Sequence, residues 1–263
     1  MYKIYSKILK SEIMLKINFT HALRITLILI VITMTIPSFA QIPPAYDKIS
    51  TNAGIVEMHF ISHGSLMFKV NGYVIYIDPV KGPVSYEFFP KADMILVTHE
   101  HGDHLDVNLI NDLKKTGTLV LINQNSSGKL PWAMTMKAGE RQEFNNIIVE
   151  AVPAYNIVHE RSPGQPFHPK GSGIGFILTI GNKRFYVAGD TENIPEMKEL
   201  KNIEVAFLPM NLPYTMTPEM VADAAKAFKP KILYPYHFGD TNTEEIVNLL
   251  KGTGIDVRIR ELK

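Results

Sequence analysis

Three histidines and an aspartate fall within six residues in the segment Thr98-His99-Glu100-His101-Gly102-Asp103-His104. Imidazole nitrogens and carboxylate oxygens at that density form a ligand set for zinc, manganese or iron. The chain contains no cysteine, so any metal must rest on His, Asp, Glu or Asn. The same absence excludes a disulfide, a cysteine-ligated zinc and a thiol nucleophile. His99 and His101 are two residues apart, which in extended backbone puts both side chains on one side and Glu100 on the other. Gly102 is expected to permit a tight turn that brings Asp103 and His104 round to the same place. Buried imidazoles without a metal would need a separate partner for every ring nitrogen. The spacing therefore points to metal chemistry rather than to a polar turn. A divalent ion there would make water nucleophilic near neutral pH and polarise the oxygen under attack, which is the chemistry of hydrolysis.

Such a cluster needs a strand before it and a helix after it. Met94 to Val97 is a short apolar run suited to a buried strand, and Leu105, Leu109, Ile110 and Leu113 share one helical face. Upstream, Val56 to Val70 alternates in part and Tyr73 to Ile77 is β-branched and aromatic, with a type I′ hairpin signal at Asn71-Gly72 between them. Leu119 to Ile122, Ile147 to Val152, Gly175 to Ile180, Arg184 to Val187, Val205 to Leu208, Ile232 to Tyr236 and Asp256 to Arg260 read as further strands. Thr217-Pro218-Glu219 opens a helix running to about Phe228, with Thr as N-cap and Pro at the first helical position. Thr243 to Leu250 reads as another helix, and Gln41 to Thr51 as a polar lead-in. Strand-rich halves that each carry helices suggest two packed sheets with helices outside. Asp190 and His237 each close an apolar strand, where a site at the sheet edges would recruit them.

The first forty residues differ from the rest. Lys3, Lys7, Lys10, Lys16 and Arg24 precede an apolar run from Ile25 to Ile36, and small residues follow at Ser38 and Ala40. This is the pattern of a secretory signal cut after Ala40, with Met14 as an alternative start. The organisation expected is a signal peptide over 1–40 and a single hydrolase domain over 41–263. The mature protein is then exported to a periplasmic or extracellular space and holds no membrane segment. A net charge of +1 gives no electrostatic case for nucleic acid.

His99-x-His101-x-Asp103-His104 resembles the signature of the metallo-β-lactamase superfamily. Ile75-Tyr-Ile-Asp78-Pro79, Ala188-Gly189-Asp190-Thr191 and Tyr234-Pro-Tyr-His237 resemble that family's other strand-end motifs, in the same order. Ser62-His63-Gly64-Ser65, Ala92-Asp93 and Lys229-Pro-Lys look most like the branch of L-ascorbate-6-phosphate-lactonase-like proteins. The resemblance implies an α+β fold, a four-layer αββα sandwich, holding two divalent ions. Zinc suits the set best, and manganese or iron fits it too. It places His99 and His101 on the first ion, Asp103, His104 and His237 on the second, and Asp190 between them. Asp103 and His104 carry the catalytic roles, Asp103 as the partner of the attacking water or of the leaving-group proton.

The family's usual third ligand to the first ion falls where this chain has Asn156, in Pro153-Ala-Tyr-Asn156. His168, Asn156 and His159 are the candidates. His168 is preferred, because imidazole is the better zinc ligand and Pro166 and Pro169 stiffen its loop. Asp78, His63 and Asn156 are expected behind the ligands, since metal-bound imidazoles donate their other N–H to a carboxylate or carbonyl. His59 reads as structural. Tyr155, Phe167, Met210 and Tyr214 are candidates for lining the pocket. The function expected is metal-dependent hydrolysis of a small ester, lactone or phosphodiester. The alternative, suggested by Asn156, is a metal-binding or sensing module of the same fold with little turnover.

Overall fold

The computed structural model describes residues 46–263, and the signal peptide expected over 1–40 lies outside them. The first sheet holds β1 (Tyr46–Thr51), β2 (Gly54–Ser62), β3 (Ser65–Val70), β4 (Tyr73–Ile77), β5 (Ala92–Val97), β6 (Lys114–Asn123) and β7 (Met134–Met136), side by side in chain order. The second holds β8 (Arg141–Phe144), β9 (Ile147–Ala154), β12 (Gly173–Ile180), β13 (Lys183–Val187), β14 (Ile203–Pro209), β15 (Ile232–Tyr236) and β16 (Asp256–Val257). Its order is β16-β15-β14-β13-β12-β9-β8. Between β9 and β12 a separate hairpin pairs β10 (Glu160–Ser162) with β11 (Gln165–Pro166).

Alternation along the strands sorts the layers. In β4 and β5, Ile75, Ile77, Met94 and Leu96 face the core shared with Phe176, Phe185 and Phe207 of the second sheet. Val74, Tyr76, Ile95 and Val97 face the other way and pack under Leu109, Ile110 and Leu113 of α1 (Val107–Leu113). The outer face of the second sheet carries α2 (Pro195–Lys198), α3 (Pro218–Phe228) and α4 (Thr243–Leu249). There Phe228 meets Tyr186 with ring centroids 6.1 Å apart. The result is the four-layer αββα sandwich. Each large apolar side chain fully buried in it contributes about 1.5–3 kcal/mol.

Strands β4 to β7 run parallel, as do β13 to β16, so their C-terminal ends gather on one edge of the sandwich. Asp78, His99, Asp190 and His237 lie just beyond the ends of β4, β5, β13 and β15. An edge formed by the carboxyl ends of parallel strands is the general position for sites in such sheets.

Several elements depart from the sequence reading. Within the polar lead-in, Tyr46 to Thr51 forms β1, antiparallel to β2, with Ile49 buried and Asp47 held by Tyr234, Arg258 and Arg260. The stretch Val56 to Val70 splits at a hairpin turn on His63-Gly64, where His63 sits at φ 48°. The first helix starts at Val107 because Asp106 caps it, its side chain accepting from the Leu109 amide. The last strand is only Asp256–Val257. The Asn71-Gly72 turn is as expected, with φ of 49° and 83° joining Val70 to Tyr73.

Candidate metal centre

Two groups of ligand atoms share one carboxylate. In the first, His99 Nε2 lies 3.1 Å from His101 Nδ1, and His168 Nε2 lies 3.3 Å from the same His101 atom. Asp190 Oδ2 stands 3.8 Å from His99 Nε2 and 3.3 Å from His168 Nε2. In the second, His104 Nε2 is 3.3 Å from Asp190 Oδ1, and His237 Nε2 is 3.4 Å from Asp190 Oδ2 and 3.6 Å from Asp103 Oδ2. Two ligand atoms each about 2.1 Å from a tetrahedral ion lie roughly 3.4 Å apart. The observed separations match that spacing in both groups.

The atoms are also short of partners. His104 Nε2, Asp190 Oδ1 and both ring nitrogens of His237 are buried with no hydrogen-bond partner. Leaving such a group unsatisfied costs about 1–3 kcal/mol. Burial alone would raise the Asp190 carboxyl, but His237 and His104 outweigh it and hold the group well below the ordinary carboxylate value. Burial likewise opposes protonation of His104, yet Asp190 and Asp78 push that imidazole up to about 9. Burial and the neighbouring His104 hold His99 well below its ordinary value. The pocket thus draws a positive charge between its carboxylates while His99 and His101 are held toward their neutral forms. A bound cation answers both demands, so the residues present fit a metal.

The groups behind the ligands set which nitrogen faces inward. His104 Nδ1 donates to Asp78 Oδ2 at 2.8 Å. Thr98 Oγ1 donates to the same Asp78 oxygen at 2.6 Å, which leaves the hydroxyl to accept from His99 Nδ1 at 3.0 Å. Asp78 therefore fixes two imidazoles, one directly and one through Thr98, and both turn Nε2 toward Asp190. It holds this place at φ 45°, and His237 sits at φ 48°. Left-handed backbone at non-glycine residues is characteristic of sites that the surrounding fold constrains.

His168 is brought beside His99 and His101, whereas Asn156 is turned away from them. Asn156 Oδ1 accepts from His168 Nδ1 at 2.7 Å and from the His168 amide at 3.0 Å. Its Nδ2 donates to Glu192 Oε1 and to the Tyr214 carbonyl. His159 is placed outside the cluster, its Nδ1 2.5 Å from Glu192 Oε1. His63 Nε2 lies 3.5 Å from Asp103 Oδ2, and its ring stands 3.8 Å from that of His237. His59 is partly buried against Tyr46, remote from these groups in contact. Gly102 does not need to be glycine for the turn: its φ is not in the left-handed region and a Cβ there would meet nothing within 4 Å. Tyr155 and Met210 are buried in the core, while Phe167 and Tyr214 reach the surface.

Thr98 and Glu192 were not singled out from sequence. Glu192 is fully buried and accepts from the amides of Ile157, Val158 and His159. Burial would raise its carboxyl, but those amides and Asn156 hold it below the ordinary value. An acid two residues after a strand-end Asp was its only sequence trace.

Residues 57–237 match the family model of the β-lactamase superfamily domain. The chain belongs to the metallo-β-lactamase superfamily. Among its relatives, a UPF0173 metal-dependent hydrolase of Bacillus pumilus is 33% identical over 190 residues, covering 67% of this chain and 82% of that protein. A second, from Geobacillus thermodenitrificans, is 30% identical over 194 residues, covering 70% and 85%. A crystal structure from Parabacteroides distasonis, assigned as a metal-dependent hydrolase, is 48% identical, with a TM-score of 0.80 over 83% of this chain and 99% of that one. This metallo-β-lactamase superfamily member is thus a metal-dependent hydrolase of the UPF0173 family, with a His/Asp cluster able to bind metal.

Proposed function

We propose that the protein is a two-metal hydrolase of a small ester, lactone or phosphodiester, nearest in character to the lactonase-like branch. The observation that carries this is the pair of ligand groups meeting on Asp190. His99, His101 and His168 would hold one ion, Asp103, His104 and His237 the other, with Asp190 between them. Zinc suits the imidazole-rich set, and manganese or iron is the alternative. The ions would supply a nucleophilic water at neutral pH and polarise the oxygen of the scissile group.

The chain's own residues do the rest. Asp78 and Thr98 keep protons on Nδ1 of His104 and His99, so Nε2 of each stays free for a metal. Asn156 does the same for His168. Asp103 is about half exposed, so its Oδ2 can meet solvent water and orient it toward the substrate. His63 Nε2 and His237 Nε2 stand 3.5 Å and 3.6 Å from that oxygen, so Asp103 lies at the solvent side of the second ligand group. Asn156 lies behind His168 rather than among the ligand atoms, which supports turnover over the binding-only module that an amide ligand would favour.

The test is metal content and turnover of protein purified from the full gene. Stripped protein is reloaded with zinc, manganese or iron and offered a chromogenic ester, lactone and phosphodiester. About two ions per chain and metal-dependent turnover of at least one substrate are expected. A single ion per chain, or turnover that survives stripping, would refute the reading. Export rests on the sequence of the leader; N-terminal sequencing should begin at Gln41, and an intact leader on cytoplasmic protein would rule export out.

A further inference from the structure

Four of the nine large apolar side chains exposed among the described residues lie in two loops beside His168: Ile157, Val158, Leu212 and Tyr214. Singly exposed apolar side chains are ordinary, but two pairs of them on hydrogen-bonded loops beside a polar site are a candidate contact surface. Hydrogen bonds join these two loops to each other and to the metal centre. Asn156, which orients His168, donates to the Tyr214 carbonyl at 2.9 Å. Phe167, the residue before His168, meets the Tyr214 ring edge-on at 5.2 Å. On the other side the Leu212 loop reaches the strand that carries His237: Met210 donates to the Tyr236 carbonyl, and the Asn211 side chain abuts Gly239.

Internal hydrogen bonds shape both loops. Glu192, fully buried, accepts from three successive amides, Ile157 to His159, and so fixes a segment whose Ile and Val side chains point to solvent. Thr215 and Asn211 close the second loop, with the Tyr214 amide donating to the Asn211 carbonyl at 3.0 Å. The same carboxylate accepts from Asn156 Nδ2, so the exposed Ile157–Val158 segment and the residue that orients His168 share one buried anchor. A preformed apolar wall lowers the ordering cost of a ligand that covers it.

We infer that this wall receives an apolar acyl chain, so that the substrate is an ester or lactone of an acyl group longer than acetyl. The inference rests on the hydrolase reading above. In the reaction the acyl carbon–oxygen bond breaks and the water oxygen joins the acyl carbon. The departing oxygen takes one proton of the water, and the carboxylic acid releases the other to solvent. The chain-bearing side of the substrate lies along Ile157, Val158, Leu212 and Tyr214, next to His168. Each methylene withdrawn from water onto such a wall favours binding by up to about 0.8 kcal/mol, or roughly fourfold.

Metal-loaded protein is assayed with 4-nitrophenyl acetate, butyrate and octanoate, and octanoate and acetate binding are measured by calorimetry. kcat/KM should rise at least about tenfold from acetyl to octanoyl, and octanoate should bind correspondingly tighter than acetate. The double variants Ile157→Ser/Val158→Ser and Leu212→Ser/Tyr214→Ser should flatten both trends, with melting curves showing that they fold. Met134→Ser, an exposed apolar change on β7, should keep them. If no ester turns over but octanoate binds tighter than acetate and the double variants abolish this, the wall stands and esterolysis falls. Equal kcat/KM for all three esters with equal binding of the two acids overturns the wall. So does a chain-length preference that both double variants retain. Capture of the protein by phosphatidylcholine vesicles through these same residues, without chain-length preference in either assay, would assign the surface to lipid and overturn it too.

Discussion

His168 reaches its position through one amide that spends all its hydrogen-bonding capacity on the task. Asn156 Oδ1 receives the His168 ring and backbone N–H, and its Nδ2 is tied to Glu192 and Tyr214. The two residues should therefore separate on substitution. After dialysis, His168→Ala should retain about one ion per chain, whereas Asn156→Ala should keep about two with roughly 10–100-fold weaker affinity for one of them. Full metal content in His168→Ala together with loss of an ion in Asn156→Ala would reverse their roles. A pH dependence follows from His104. Its pKa in the metal-free fold is raised to about 9 from an ordinary 6.5, so the folded state binds the proton more tightly than the unfolded chain. That contribution is complete below about 6.5 and is lost as pH rises through about 9. His99 and His101 are shifted down, chiefly by burial, and act in the opposite sense, destabilising the fold as pH falls below about 6.5. Metal-free protein should thus melt highest near pH 6.5 and lower on either side, and metal affinity should climb between 6.5 and 9 as His104 gives up its proton. A melting temperature of metal-free protein that rises from pH 6.5 to 9 would contradict the assignment.

Among the elements, strand ends that carry ligands were legible because their apolar runs are short and uninterrupted, as in Met94 to Val97 before His99. The small residues Gly64 and Ser65 after His63 signalled the β2–β3 turn, but not that its left-handed position would be filled by the histidine itself. β1 was not legible. Only Ile49 of its six residues is buried, and Asp47 finds its arginines more than 200 positions away. The His99–His104 group, Asp190 and His237 could be listed from their motifs, but Glu192 and Thr98 act through contacts that exist only after folding. Gly64 shows how tightly the β2–β3 hairpin is fitted to the site. A Cβ there would lie 2.8 Å from His104 Cε1, and that imidazole is fully buried and held by Asp78. Gly64→Ala should displace the ring or open the hairpin, at a cost of about 1–3 kcal/mol as in other overpacked sites. Thermal melts and metal content should register it, and Gly102→Ala, with open space around it, should cost far less. Equal behaviour of the two variants would show that the hairpin yields freely.

For the whole molecule, the ligand set doubles as a clasp between the two sheets. His99, His101, Asp103 and His104 follow β5 of the first sheet, while Asp190 and His237 follow β13 and β15 of the second. Asp190 is the carboxylate that both ligand groups share, 3.3 Å from His104 in one and 3.3 Å from His168 in the other. An ion in either group therefore ties one sheet to the other at an edge where the shared apolar core gives way to buried polar atoms. Metal that binds only the folded chain stabilises it by about 2.7 kcal/mol per ion when free metal is 100-fold above its dissociation constant. For a domain of this size that raises the melting temperature by roughly 5–10 °C per ion. The variants should then rank by which groups they break. His237→Ala removes a ligand of the second group alone and should keep about half of the metal-dependent rise. Asp190→Asn weakens both groups and should lose nearly all of it. Calorimetric melts of the two variants with and without zinc measure this directly. If Asp190→Asn keeps as large a rise as His237→Ala, the carboxylate is not the shared ligand and the clasp is not built as its position implies.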